Sequence, residues 1–100
     1  MTTLSRYAFI VKHKSYSSLY QRASLETDEF KTLIVGVSDT KEATEAIKQL
    51  LSEGVQVIEL CGGFSEAEKD QIKQDIGGKI PLGVVKFDNE DLKKLESFTG

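Results

Sequence analysis

The chemistry this chain could do rests on few residues, because it holds a single cysteine and a single histidine. Cys61 opens the turn Cys61-Gly62-Gly63-Phe64-Ser65. A thiol there becomes a nucleophile if a helix N-terminus and a base such as His13 lie beside it, since both lower a thiol pKa. The plainer reading is a small buried hydrophobe at a strand end. Glu59, the sole acidic residue within a strand stretch, reads as a general base, a cap for nearby amides, or a salt-bridge partner of Lys12, Lys86 or another lysine. Cys61, Glu59 and His13 are therefore the catalytic candidates. His13, flanked by Lys12 and Lys14, also fits an ordinary surface loop. No second Cys is present to build a thiolate metal site, and any multi-histidine site would need a second copy of the chain, so no metal is expected.

The same turn reads as a binding loop. Paired glycines bare backbone N–H groups, and a helix opening at Ser65 aims its positive end at the same place, which favours an anion. Lys12, His13 or Lys14 would add positive charge. The expected ligand site is Lys12, His13, Cys61, Gly62, Gly63, Phe64 and Ser65, and the expected ligand is a small anionic metabolite. Against it, two glycines before a capped helix also make an ordinary tight βα turn. No G-x-G-x-x-G or phosphate-loop pattern is present, and no cofactor is expected.

Four apolar stretches must position these residues. Tyr7–Val11 is apolar throughout, the pattern of a strand covered on both faces. Thr32–Val37 is β-branched, and Gly36 near its end would let something approach the backbone. Val55–Leu60 runs directly into the Cys61 turn, and Pro81 precedes the last strand, Leu82–Phe87. Between them, Tyr16, Leu19, Tyr20 and Ala23 have the spacing of one helical face, which predicts a short helix. Asp39 with Glu42 forms a capping-box pattern, followed by the stripe Ala43, Ala46, Ile47, Leu50 and Leu51 and a stop at Gly54. Ser65 with Glu68 repeats that pattern for a helix with only Ala67, Ile72 and Ile76 on its apolar face. Asp88 caps a last helix carrying Leu92, Leu95 and Phe98.

Strict alternation of strand and helix predicts an α/β domain over 1–100: a four-stranded, mainly parallel, flavodoxin-like sheet with helices on its faces and order 2-1-3-4. The alternative is a ferredoxin-like α+β sandwich. In the parallel fold, ligands bind outside the strand carboxyl ends where the order reverses, which would bring the loops after the first and third strands together.

Composition narrows the class of function. With 39% hydrophobic and 29% charged residues, the chain fits neither a disordered nor a membrane-embedded class. Its longest N-terminal apolar run, Ala8–Val11, is too short for a span or a secretory signal, so cytoplasmic residence is the expectation. A net charge of −3 speaks against nucleic acid or an anionic membrane as partner. Open sheet edges in so small a domain favour a homo-oligomer, with Tyr16, Tyr20, Phe30 or Phe98 as contact residues.

The stretch from Gly54 to Phe64, followed by Gly77-Gly78-Lys79-Ile80-Pro81-Leu82-Gly83-Val84-Val85, resembles a family of small bacterial proteins of unknown function. The Ala8-Phe9-Ile10 strand and the Val35-Gly36-Val37 strand end belong to the likeness, and Glu59-Leu60-Cys61-Gly62-Gly63-Phe64 is its most specific piece. The resemblance implies that Glu59, Cys61, Gly62, Gly63 and Phe64 form a shared pattern, and brings no activity, substrate or cofactor. It implies glycine where this chain has Ser65, which sets the Ser65 hydroxyl outside that pattern. Three functions follow as expectations: a binding domain for a small anionic metabolite, an enzyme using Cys61 or Glu59, or a self-associating structural or regulatory subunit.

Overall fold

The computed structural model describes residues 3–98, so residues 1, 2, 99 and 100 of the expected domain lie outside the described part. The chain runs β1 (Arg6–Lys12), β2 (Arg22–Glu26), β3 (Lys31–Val37), α1 (Thr40–Ser52), β4 (Val57–Leu60), α2 (Glu66–Asp75), β5 (Leu82–Val84) and α3 (Asn89–Glu96). The strands form one sheet in the order β2-β3-β1-β4-β5. β1 pairs in parallel with β3 and β4, and β4 with β5, whereas β2 is antiparallel to β3. The protein is α/β with a mixed five-stranded sheet, which corrects the four-stranded expectation. The predominance of parallel pairing also separates it from a ferredoxin-like sandwich.

The extra strand stands where a helix was predicted. Residues 19–30 are all exposed, so the helical spacing of Leu19, Tyr20 and Ala23 has no core to face. Instead the segment is fastened as a turn and an edge strand: the Ser18 amide donates to the Glu42 carboxylate, and Gly36 N donates to Gln21 O at 2.7 Å. A Cβ on Gly36 would lie 2.7 Å from Tyr16 Cδ2 and 2.9 Å from Gln21 Cβ. Glycine is what lets this loop seat across β3.

The helices begin where their caps predict. The Asp39 side chain accepts the Glu42 amide at 2.8 Å, Ser65 and Glu68 form a reciprocal capping box, and Asp88 accepts the Asp91 amide at 3.1 Å. The first box is only half made, because the Glu42 carboxylate is taken by the Ser38 hydroxyl and the Ser18 amide. Those two bonds, the Ser38 hydroxyl foremost, hold its pKa below the usual carboxylate value.

Which faces are covered follows from the order of crossovers. The steps β3-α1-β4 and β4-α2-β5 move in the same direction along the sheet, so right-handed crossovers place α1 and α2 on one face. That face is the core: Ala8 and Ile10, Val35 and Val37, Ile58 and Leu60 meet Ala43, Ala46, Ile47 and Leu50 of α1 and Ile72 of α2. The step from β1 to β3 runs the other way, and its connection contains β2 rather than a helix. The opposite face, carrying Tyr7, Phe9, Val11, Ile34 and Val57, therefore has no crossover helix on it, and those side chains are only half-buried.

Candidate functional site

β1 and β4 lie side by side, which brings the loops that leave them together at their carboxyl ends. Cys61 N donates to Ile10 O at 3.0 Å, and Cys61 Sγ accepts the Lys12 amide at 3.3 Å. Phe64 N closes the turn onto Cys61 O at 3.1 Å, and the Phe64 ring is buried beneath Lys12, whose Nζ stands 5.0 Å from its centroid. Lys12, Cys61, Gly62, Gly63, Phe64 and Ser65 are thus one constellation.

Glu68 is the residue that locks it. One carboxylate oxygen takes Lys12 Nζ at 2.7 Å and the Thr40 hydroxyl, and the other accepts the Ser65 amide at 2.9 Å. The Ser65 hydroxyl in return accepts the Glu68 amide at 3.1 Å. Lys12 foremost, then Thr40 and the Ser65 amide, pull the Glu68 pKa down to about 2. The expected lysine and the Ser65 amide at the N-cap of α2 are therefore already engaged by a carboxylate from the chain itself. Sequence reading missed this because Glu68 was assigned only to its local cap.

His13 is turned to another task. Its backbone amide donates to Val37 O at 2.9 Å, its Nδ1 meets the Ser15 hydroxyl at 2.7 Å and accepts the Ser15 amide at 3.1 Å, and its ring tilts against Tyr16. An accepting Nδ1 leaves the proton of a neutral ring on Nε2. The imidazole shapes the loop after β1.

Glu59 lies on the uncovered sheet face, whereas Cys61 packs against the core. Neither expected lysine reaches Glu59: Lys12 pairs with Glu68 and Lys86 with Glu66. Its partner is the Tyr7 hydroxyl, which donates to Oε1. Partial burial first, then the Glu59 hydrogen bond and charge, push the Tyr7 pKa up to about 12. The two catalytic candidates of the turn region thus serve separate environments.

Beside the glycine turn the structure adds a cleft that the sequence did not announce. It measures about 230 Å³ and is lined by Gly62, Phe64, Glu66, Val84, Val85, Lys86, Phe87, Leu92 and Leu95. Strand β5 is shorter than predicted: after a last bond from Val85 N to Leu60 O at 2.9 Å, Lys86 and Phe87 leave the sheet and lead towards α3, whose Leu92 and Leu95 line this space. The sequence signal was the apolar stripe of α3, for which the sheet offers no buried seat. Among the described residues, the Gly62 and Gly63 amides have no protein acceptor. A larger open groove of about 640 Å³, lined in part by Glu59, Lys73, Lys79 and Pro81, lies at the opposite end of β4 and β5. The described residues contain no cluster of three metal-ligating side chains and no helix long and apolar enough to cross a membrane.

Fold and site together define a small α/β protein with a helix-covered sheet face, an open sheet face and a glycine-turn cleft at its strand ends. The family of unknown function DUF6506 matches residues 5–100, and the chain belongs to it. No curated protein and no solved structure matches the chain.

Proposed function

We propose that the chain is a small-molecule-binding domain whose ligand sits at the carboxyl ends of β4 and β5, beside the Gly62-Gly63 turn. The observation that carries this reading is the junction of two complementary parts: unpartnered glycine amides and an adjoining cleft walled by Phe64, Val85, Phe87, Leu92 and Leu95. Amides of this kind donate to a carboxylate or another anionic group, and the apolar wall takes a short hydrocarbon body. A volume of about 230 Å³ is below the usual span of roughly 300–1,000 Å³ for ligand pockets, which favours a compact metabolite over a nucleotide.

The reading also reassigns the positive charge. Lys12 stays with Glu68 as a clamp on the turn, and Lys86, exposed at the cleft and paired with Glu66, is the cation that an incoming anion would draw towards itself. The cleft lies at the carboxyl ends of parallel strands, one strand beyond β1, where chain direction along the sheet reverses.

A thermal-shift series tests this directly. Short straight-chain monocarboxylates are compared with the alcohols of the same length. A ligand that binds only the folded state raises the melting temperature with concentration. The acids are expected to stabilise the protein, the alcohols not, and Leu95→Asp to remove the effect. Absence of any shift across the acid series would overturn the assignment.

A further inference from the structure

We infer that the edge strand β2 pairs with β2 of a second copy of this chain in one register, antiparallel about a two-fold axis at Ser24. The inference is independent of the ligand reading, because it concerns the opposite edge of the sheet. β2 ends the strand order and is exposed along its whole length. Which of its backbone groups are free follows from its ladder with β3. Gly36 N donates to Gln21 O at 2.7 Å and Thr27 N to Phe30 O at 2.9 Å, and in an antiparallel pair such bonds recur at every second residue. Gln21, Ala23, Leu25 and Thr27 therefore bond towards β3, while Arg22, Ser24 and Glu26 turn their N–H and C=O groups outwards. Among the described residues, one of these groups is otherwise engaged: the Arg22 amide donates to Tyr20 O at 3.1 Å.

Charge selects the occupant. Arg22 and Glu26 stand equally far on either side of Ser24, carry opposite signs, and among the described residues neither enters an ion pair. An edge guarded by charges of one sign repels its own copy; this edge is complementary to itself. Turned about a two-fold axis at Ser24, each Arg22 lies directly opposite Glu26 of the other copy. The same register meets the free backbone groups: each Ser24 amide finds the other Ser24 carbonyl, and each Glu26 amide the other Arg22 carbonyl. Ala23 and Leu25 lie on the uncovered face of the sheet, in register with Ile34 and Thr32. There Leu25, 67% exposed, becomes the direct neighbour of the other copy's Ala23 and the diagonal neighbour of its Leu25. A slip of one residue sets outward groups against residues bonded to β3, and a slip of two no longer places Arg22 opposite Glu26. A foreign strand would have to reproduce this pattern, which a second copy already carries.

A charge swap read by sedimentation equilibrium of the full chain tests the proposal. The interface is narrow, so association is expected between about 10 μM and about 1 mM, with the mass rising towards that of two 11.1 kDa chains. Arg22→Glu and Glu26→Arg, both at exposed positions, are each expected to weaken self-association about tenfold, because each sets like charges opposite one another at both ends of the paired strands. Mixing the two single variants should restore association, since an all-acidic edge then meets an all-basic one, and the double variant should pair like the wild type. Ser24→Pro removes an outward amide that β3 does not use and is expected to give a folded monomer. Circular dichroism and a melting curve establish that each variant is folded, and the charge series carries the test if Ser24→Pro is not. A wild-type mass of one chain up to about 1 mM, single charge variants that associate as the wild type does, or a mixture no tighter than its components would each overturn the proposal.

Discussion

Glu68 shows how much one carboxylate can organise. It satisfies the Ser65 amide at the N-cap of α2, a lysine from β1 and a threonine from α1, and thereby ties three elements to the turn that bears the proposed site. Its folded pKa of about 2 lies below the ordinary 4.5, so its contribution is complete above about pH 4.5 and is lost as pH falls towards 2. Glu68→Gln is expected to lower unfolding stability at neutral pH by about 1–2 kcal/mol, a figure discounted for partial solvent access. Denaturant titrations of both proteins should converge between those pH values; a difference that persists at pH 2 would show that the loss is not electrostatic. The capping half of this arrangement was legible, since Ser65 and Glu68 are three residues apart. The lysine half was not, because Lys12 lies 56 residues away and nothing local marks it.

Among the elements, the segment after β1 departs furthest from its sequence pattern. An i, i+3, i+4, i+7 spacing of apolar residues signals a helix only where a core receives the stripe, and here Leu19 and Tyr20 remain in solvent. What fixes the path is non-local: Ser18 to Glu42, Gln21 to Gly36, and the Tyr16 ring against the Gly36 backbone. Gly36→Ala is expected to destabilise the protein by about 1–3 kcal/mol through overpacking. Tyr16→Ala in the same chain should recover part of that loss, and a thermodynamic cycle with no coupling would remove the close approach as its cause. By contrast, β1, β3, β4 and β5 were legible because their apolar runs are short, β-branched and ended by turn residues. β2 was not, as Arg22-Ala23-Ser24-Leu25-Glu26 alternates on an exposed edge and owes its strand form to β3. The cleft was partly legible: its glycine turn stands out in the sequence, while its apolar wall depends on β5 ending early at Val84.

At the scale of the whole molecule, the crossover helices cover one face of the sheet. The helix-covered side supplies stability through a continuous core from Ala8 to Ile76, and Ile72, fully buried on α2, should cost about 2–5 kcal/mol when cut to Ala in equilibrium unfolding. The strand ends carry the glycine turn and the cleft beside it. Sequence periodicity could report that strands are apolar on both faces, but not which face the helices cover. The binding claim is tested most directly by backbone and methyl NMR of the labelled protein during titration with a short monocarboxylate. Concentration-dependent shifts are predicted at the Gly62 and Gly63 amides together with the Val85, Leu92 and Leu95 methyl groups. Shifts that are absent, or that centre on the groove near Lys73 and Lys79 instead, would contradict it.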